Sequence, residues 1–340
     1  MTNISRRSVL KATGATSAVG ITGLAGCVGN GDGDGTHEWT MAAAVSDGHP
    51  FVVAGEVFKE KLEAESDDFE IEIVPGGSYG SEIEQMETLE AGGVEMLAQS
   101  TGVSVAVYYE QFAAQRGYIF VWEDWEHYRT AFDATAEELD AYEHMENEGL
   151  KILTEPIYTG ERHTFTVDTP VRTPEDAEGI AIRSPESTGW PESWSAIGFD
   201  PTAMPITEVY SALQTGTIQG GEGEAPQLIA ENIYEVANYY SQTAHFYNAV
   251  WLMIRPDLFE SLTEDEQQLI MDVAEETIPE AEERNEALEE EAIAQLEDEG
   301  IEFIEDVDRE SMAELVEPVV QNLIEENDAV FSLEELRDMA

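Results

Sequence analysis

Two arginines occupy positions where their side chains could bind a carboxylate. Arg183 ends a short apolar stretch, Ile180-Ala181-Ile182, and Arg162 lies in Thr159-Gly160-Glu161-Arg162-His163. Most arginines in an acidic chain pair with surface carboxylates. Arg183 differs because the strand that it ends should open toward a cleft rather than toward the outer surface. A guanidinium presents a planar fork of N–H donors that fits a carboxylate bidentately, so we expect Arg183 to face the cleft with this fork available to a ligand.

A second chemistry is suggested by residues 76–80, Gly-Gly-Ser-Tyr-Gly, which match the Gly-x-Ser-x-Gly pattern of a nucleophile elbow. Ser78, however, lies three residues before a helix cap at Ser81, whereas an elbow serine lies at the turn itself. A serine hydrolase also needs a base, and no candidate histidine has neighbouring signature residues: His127, His144, His163 or His245. The histidines show no metal-ligand spacing, and no phosphate-binding glycine loop is present. We therefore predict no catalytic residue, no metal site and no cofactor, with a cation that accompanies the ligand left open.

The charge of the chain excludes several partners. Its 340 residues include 73 acidic and 15 basic side chains, for a formal net charge of −58. Such a surface does not neutralise phosphates, so nucleic acid and anionic lipid headgroups are excluded. The 42% of hydrophobic residues nevertheless suffices for a packed core. Acid enrichment with few lysines is typical of a protein adapted to high salt, where counter-ions screen self-repulsion; a merely acidic protein is the alternative.

Residues 1–27 are predicted to be an export and anchoring signal rather than part of the fold. Arg6 and Arg7, followed by Ser8-Val9-Leu10, resemble a twin-arginine export signal. The weakly apolar run after them is too short for a spanning helix, which needs about 20 apolar residues. Leu24-Ala25-Gly26-Cys27 resembles a lipobox, whose cysteine becomes the lipidated first residue, and Cys27 is the only cysteine. Residues 28–36 have the composition of a flexible tether, so we expect an extracytoplasmic lipoprotein anchored to the membrane.

Strands and helices alternate along the mature chain. Hydrophobic spacing predicts strands at Trp39–Ala44, Phe69–Val74, Val94–Gln99, Gly179–Arg183 and Ile301–Ile304. It predicts helices at Phe51–Glu65, from the capping box Ser81-x-x-Glu84 to Gly92, at Trp190–Ile197, at Thr207–Thr215, and from Thr263 toward Gly300. Pro279 should kink the last of these helices or divide it in two. The alternation favours a mainly parallel sheet in two α/β lobes, with a ligand cleft between them at the carboxyl ends of the strands.

One ordered series of motifs is specific. Ile182-Arg183-Ser184-Pro185 is followed by EVYSALQTG at Glu208–Gly216, by Gly220-Gly221-Glu222 and by His245. This series resembles the solute-binding proteins of tripartite ATP-independent periplasmic (TRAP) transporters, the DctP-like family. Weaker likeness extends over the rest of the mature chain.

The resemblance implies a periplasmic-binding-protein-like α/β fold, with a ligand cleft between two lobes and a long helix that spans both. The implied lobes are 37–159 with about 249–288, and 160–248 with about 289–340. It further implies a receptor without enzymatic activity, which captures a small organic acid outside the cytoplasm and delivers it to membrane permease subunits. Arg183 would bind the ligand carboxylate and Arg162 would assist. The other implied ligand-binding residues are Glu222, Ile206, Trp190, Tyr210 and Glu82.

Three departures from the family pattern leave the ligand open. The sequence has Gln219 where an Asp is frequent, Gly223 where some acid binders have Asn, and Ile206 where an aromatic residue often stacks on the ligand. Trp190 and Trp194 could supply aromatic surface instead, although tryptophans at helical spacing are more often part of the core. A binding protein of an ATP-driven importer, or a sensor with the same architecture, is the alternative besides the serine hydrolase.

Overall fold

The computed structural model describes residues 36–340, so Arg6, Arg7, Cys27 and most of the predicted tether lie outside the described residues. The strands are β1 (His37–Ala42), β2 (Phe69–Val74), β3 (Met96–Ser100), β4 (Lys151–Ile152), β5 (Ile157–Thr166), β6 (Ala181–Ser184), β7 (Asp200–Ala203), β8 (Gly220–Gly223), β9 (Tyr239–Ile254) and β10 (Glu302–Ile304). No helix between residues 36 and 340 is both long and apolar enough to cross a membrane.

The helices lie between these strands and after them. They are α1 (Pro50–Glu65), α2 (Glu82–Glu90), α3 (Thr101–Tyr108), α4 (Glu110–Arg116), α5 (Trp125–Glu138), α6 (Ala141–Asn147), α7 (Pro174–Ala177), α8 (Trp190–Ile197), α9 (Ile206–Thr215), α10 (Ala225–Ala230), α11 (Pro256–Glu260), α12 (Glu264–Asp298), α13 (Arg309–Glu326) and α14 (Leu333–Arg337). A short 3₁₀ helix spans Ile233–Glu235.

The strands of the described residues form one mixed sheet. Their order is β2-β1-β3-β9-β5-β8-β6-β7, and β4 and β10 also pair with β9. Toward its two ends the pairing is parallel, β1 with β2 and β3, and β6 with β7 and β8. In the middle, β9 is antiparallel to β3, β4 and β5, and β5 is antiparallel to β8. The prediction of a mainly parallel sheet is therefore wrong for the centre, because hydrophobic alternation does not encode strand direction.

Strands β5 and β9 join the two ends of the sheet. The last residues of β9, 250–254, pair with β3, whereas residues 239–250 pair with β5 and the first three also pair with β10. The β5–β9 register shifts between Tyr158 and Gly160 and again between Arg162 and Thr164. Such irregularities bend a strand and redirect its side chains, so they help to set the direction of Arg162. Two of the predicted lobe boundaries, after residues 159 and 248, fall in these strands, and the third, after about residue 288, falls in α12; all three stay a prediction.

Helices cover both faces of the sheet. Along β9, Val250, Leu252 and Ile254 belong to one buried cluster, whereas Trp251 and Met253 belong to another. Because successive side chains of a strand point to opposite faces, these clusters lie on opposite sides of the sheet. The first includes apolar side chains of α1 and α12, and the second those of α5, α8 and α13. Burial on both faces explains the unbroken apolar run at residues 249–254.

Most helix boundaries follow from local signals. At the start of α2, the Ser81 amide donates to Glu84 Oε2 at 2.8 Å and the Glu84 amide donates to Ser81 Oγ at 3.4 Å, which is the predicted capping box. Helix α12 is continuous over 35 residues with Pro279 inside it, so the predicted division is wrong, whereas the alternative of a kink at Pro279 stays a prediction. Pro279 cannot donate to the carbonyl four residues earlier, that of Glu275. Since Glu275 is exposed, water can hydrate this carbonyl and the helix continues.

Candidate functional site

A cavity lies where several strands end. Its volume, taken as the space open to the centre of a water molecule, is about 50 Å³. Parallel strands β1 and β3 end beside it from one end of the sheet and β6 from the other, which agrees with the predicted cleft. Its lining residues are Val45, His49, Phe51, Glu82, Ser100, Gly102, Val103, Arg162, Arg183, Pro185, Ser187, Trp190, Ile206, Gln227, Phe246 and Asn248.

Glu222 holds two arginines at the wall of this cavity. Its side chain is fully buried. Arg162 donates from Nε to Oε2 at 2.6 Å and from Nη2 to Oε1 at 2.9 Å, and Arg183 donates from Nη1 to Oε1 at 2.9 Å. His245 Nε2 lies 3.4 Å from Oε2. Burial alone would raise the pKa of Glu222, but Arg162, His245 and Arg183 together hold it well below its usual range. The carboxylate is therefore ionised and paired on both oxygens.

Glycines allow β8 to deliver Glu222 to this position. Gly221 lies against the Phe165 ring so closely that a Cβ at residue 221 would overlap the ring atoms. In the β5–β8 ladder Thr164 is paired with Glu222, which brings the carboxylate beside Arg162. A larger residue at position 221 would push β8 away from β5 and break this ion pair.

Glu224 forms a second, equally buried set of contacts. Its Oε2 accepts from Arg162 Nη1 at 2.9 Å and its Oε1 accepts from Asn248 Nδ2 at 3.0 Å. His49 Nε2 lies 3.7 Å from Oε1, and His49 Nδ1 accepts from the Phe51 amide at 3.2 Å. Burial and the charge of Arg162 lower the pKa of His49 to about 3. His49 is thus a neutral imidazole. It is the N-cap residue just before α1 and carries its proton on Nε2, toward Glu224.

Arg183 retains donors for a further anion. Its Nε donates to the Met204 carbonyl at 3.0 Å and its Nη1 donates to Glu222. Among residues 36–340, no acceptor is hydrogen-bonded to its Nη2. Burial lowers the pKa of Arg183, and the nearby positive charge of Arg162 lowers it further, against the raising effect of Glu222. The expected free fork is therefore only partly correct: Arg183 is held by the fold on one side, and Nη2 with the second Nη1 hydrogen can reach a ligand.

Arg162 is more completely engaged. Its Nε, Nη1 and Nη2 all donate to Glu222 or Glu224, and its guanidinium carbon lies 5.7 Å from the centre of the Trp190 ring. Burial opposes its charge, but Glu222 and Glu224 raise the pKa of Arg162 above its usual value. Arg162 lines the cavity, and its contacts serve to hold the two glutamates; its predicted part in binding the ligand stays a prediction.

Glu82 lines the cavity directly, whereas the fully buried Glu222 and Glu224 are not among its lining residues. Glu82 is the first residue of α2, and its Oε1 accepts from the Ser100 amide at 3.0 Å. Burial raises the pKa of Glu82 to about 7, against the lowering effects of the Ser100 amide, Arg183 and Arg162. Near neutral pH this group is therefore close to half protonated, unlike an ordinary glutamate.

The remaining predicted residues divide into two groups. Trp190 and Ile206 line the cavity. Trp194 is fully buried and packs edge-on against His245, with ring centres 4.8 Å apart, so it belongs to the core. Tyr210 is outside the cavity and donates to Glu235 at 2.7 Å. The placement of Tyr210 in the cleft is therefore wrong. Tyr210 lies on nearly the same face of α9 as Ile206 but one turn farther along the helix, where its hydroxyl binds Glu235 instead of facing the cavity.

The structure does not assemble a catalytic serine. Ser78 is exposed, and its hydroxyl donates to the Pro75 carbonyl at 3.3 Å. Within residues 36–340, Ser78 has no hydrogen bond to His127, His144, His163 or His245; their recorded contacts are with other groups. In the same residues no group of three or more His, Cys, Asp or Glu side chains is arranged to hold a metal ion. The hydrolase alternative thus has no geometric support.

Several cavity residues escaped sequence-based prediction. His49 precedes Pro50 at the start of α1, so a search for helix caps could have found it. Gln227 and Asn248 carry no local signal: Gln227 lies in a six-residue helix, and Asn248 in the middle of the long strand β9. Only the pairing of β9 with β5 and the path of β8 into α10 bring these amides to the arginines.

Comparisons with known proteins agree with this architecture. The family model for bacterial extracellular solute-binding protein, family 7 (DctP), matches residues 41–327. The ectoine/5-hydroxyectoine-binding periplasmic protein UehA of Ruegeria pomeroyi is 29% identical over 269 residues, 79% of this chain and 77% of that protein. The ectoine-binding periplasmic protein TeaA of Halomonas elongata is 27% identical over 256 residues, 75% of this chain and 74% of TeaA. A TRAP periplasmic solute-binding protein of Citrobacter koseri, solved with bound D-glucuronate, superposes with a TM-score of 0.79 at 27% identity and covers 89% of this chain and 99% of its own.

Proposed function

The chain belongs to family 7 of the bacterial extracellular solute-binding proteins, the DctP family, and from this membership we propose that it is the receptor of a TRAP transporter that binds a small organic acid. The observation that carries the proposal is the buried guanidinium of Arg183, which lines the cavity with donors left over. A carboxylate bound to these donors would complete the hydrogen bonds of the Arg183 guanidinium and bring a negative charge beside it.

The unpaired donors of Arg183, rather than the net charge, support a carboxylate ligand, because the charges of Arg162 and Arg183 are already balanced by Glu222 and Glu224. Glu222 and Glu224 are both occupied by Arg162, so Arg183 shares only part of one carboxylate. The relatives are consistent with this chemistry, since ectoine and D-glucuronate each carry a carboxylate. The proposal requires neither a cofactor nor a catalytic step. A cation at Glu222 would have to displace a guanidinium, because both carboxylate oxygens already accept from arginines.

A ligand screen tests the proposal. Purified protein is heated with D-glucuronate, ectoine or pantoate, and with the neutral sugar glucose as a control. A ligand at a hundredfold excess over its Kd stabilises the folded state by about 2.7 kcal/mol, so a true ligand raises the melting temperature and glucose does not. The buffer contains molar salt, because the chain has 73 acidic and only 15 basic residues and the excess negative charges repel one another in dilute buffer. Stabilisation by glucose alone would contradict an acid receptor.

Two membrane-protein genes beside this one, one small and one large, would favour a TRAP permease over an ATP-driven importer.

Affinity for an acid is expected to fall as the pH rises from 6 to 8. Glu82 has a pKa of about 7, so it is mainly neutral at pH 6 and mainly ionised at pH 8. Ionisation adds a negative charge to the cavity that receives the anion. Each pH unit above 7 is therefore expected to weaken binding by up to about tenfold, as measured by isothermal titration calorimetry at several pH values.

Two variants identify the group responsible. Glu82→Gln cannot ionise and should flatten the pH dependence. Glu289→Gln is the matched control, because the pKa of Glu289 is also raised to about 7 by burial, but Glu289 lies outside the cavity lining. If the pH dependence of binding survived in Glu82→Gln and disappeared in Glu289→Gln, Glu289 would be its cause and the assignment to Glu82 would be wrong.

We also propose that the chain is exported by its twin arginines and anchored through Cys27. The support is the sequence of residues 1–27 alone. Changing Arg6 and Arg7 to lysine is expected to leave the precursor in the cytoplasm. Cys27→Ser is expected to release mature protein into the medium, as measured by immunoblots of membrane and soluble fractions. Full membrane retention of the Cys27→Ser protein would refute the lipid anchor.

A further inference from the structure

The carboxamide of Gln227 is a polar group in the cavity wall whose oxygen lacks a partner. Gln227 is 3% exposed and lines the cavity together with Arg183 and Asn248. Its Oε1 is buried without a hydrogen-bond partner among the described residues. An orphaned buried amide is costly, by about 1–3 kcal/mol for a lost partner. A neighbouring protein group would normally satisfy it. The side chain lines the cavity, but this oxygen packs over Gly223, which does not. A rotation of the carboxamide that turns the oxygen toward a bound ligand would give it a partner.

Gly223 makes room for this carboxamide. A Cβ built on Gly223 would overlap Gln227 Oε1 and lie 3.0 Å from Cδ and 3.6 Å from Nε2. These three atoms are the nearest to that Cβ, so the carboxamide of Gln227 fills the volume that a side chain at residue 223 would occupy. Gly223 does not have the left-handed backbone that would require glycine. What its lack of a side chain provides is therefore space for Gln227.

We propose that Gln227 is a specificity-determining residue that hydrogen-bonds a polar group of the ligand other than the carboxylate held by Arg183. This deepens the proposed function and rests on it. A neutral amide offers one acceptor and two donors, so it suits a hydroxyl, a carbonyl or a ring N–H rather than a second charge. The preferred ligand is then a hydroxylated or otherwise polar carboxylic acid, and a purely hydrocarbon acid of the same size binds less well.

The test compares the two members of a pair of acids, one of which carries polar groups that the other lacks. D-Glucuronate and cyclohexanecarboxylate share a six-membered ring and a carboxylate, and 5-hydroxyectoine and ectoine differ by one hydroxyl. For the pair that binds the wild type, Gln227→Met keeps the length of the side chain and removes its hydrogen-bonding groups. We expect it to lower the preference for the more polar acid about tenfold, as measured by calorimetry. Equal weakening of both acids would mean a merely structural role and would overturn the proposal, as would an unchanged preference.

Moving the amide side chain from residue 227 to residue 223 on strand β8 gives a second test. Gly223→Ala should displace the carboxamide and reproduce the loss. The double variant Gly223→Asn with Gln227→Gly places an amide in the same volume from residue 223 and should recover most of the preference. Gln214→Met, a substitution outside the cavity on α9, should change nothing.

A crystal structure of the wild type with its bound acid covers the case in which the variants do not fold. A ligand hydroxyl or N–H within hydrogen-bond distance of the Gln227 carboxamide supports the proposal, and a ligand that leaves the carboxamide unpaired overturns it. Failure of every acid to bind the wild type would count against the proposed function itself, and the role of Gln227 would fall with it.

Discussion

Arg183→Ala is expected to weaken binding of the organic acid by roughly a hundredfold to a few thousandfold. The substitution leaves the ligand carboxylate in the cavity without its partner, and removing one member of a buried ion pair costs about 3–5 kcal/mol. At about 1.4 kcal/mol per tenfold change in Kd, this range gives the expected loss. Calorimetry with the acid that stabilises the wild type measures it directly.

Folding is expected to weaken as well, although less. Arg183 also donates to the Met204 carbonyl and to Glu222, but Glu222 keeps two hydrogen bonds from the Arg162 side chain. The loss of unfolding free energy should be about 1–3 kcal/mol, which a urea titration can separate from the loss of affinity.

Two matched substitutions complete this test. Arg183→Lys should recover only part of the affinity, because an ammonium keeps the charge but not the planar fork. Arg172→Ala removes an exposed arginine that pairs with Asp306, and it should leave both affinity and stability nearly unchanged. If Arg183→Ala bound the acid within fivefold of the wild type, the carboxylate would have to be held elsewhere.

Glu222→Gln is expected to lower the free energy of unfolding by about 3–5 kcal/mol. Glutamine keeps the volume and removes the negative charge that Arg162 and Arg183 share. Both guanidiniums are buried, so each would lose part of the negative charge that balances its own, and water cannot reach it to take the place of that charge. Equilibrium urea unfolding, followed by tryptophan fluorescence, measures the change.

The surface pair of Glu317 and Arg337 provides the control. These side chains are 39% and 44% exposed, and exposed pairs contribute about 0–1 kcal/mol. Glu317→Gln should therefore shift the transition only slightly. If Glu222→Gln were as stable as Glu317→Gln, the buried network would not stabilise the fold in the way that its geometry implies.

The sequence by itself determined the local elements of this protein. The capping residues of α2 and α12, the exact extent of α8 and the alternation in β2 depend on neighbours a few residues apart, so their patterns are visible in one dimension. The placement of Arg183 at the end of a strand was visible for the same reason. The ordered motifs around it also indicated the family correctly.

Only the tertiary structure decided which groups meet. Arg162 and Glu222 are 60 residues apart, and Arg183 and Glu222 are 39 apart, so no local pattern records these pairs. The antiparallel course of β9 brings Asn248 to Glu224, and the space above Gly223 admits Gln227. Tyr210 shows the converse, since it lies in a matching motif yet one helical turn beyond Ile206, where it binds Glu235 outside the cavity. Spacing along the chain fixes which residues share a face, whereas the packing of distant strands fixes what that face contacts.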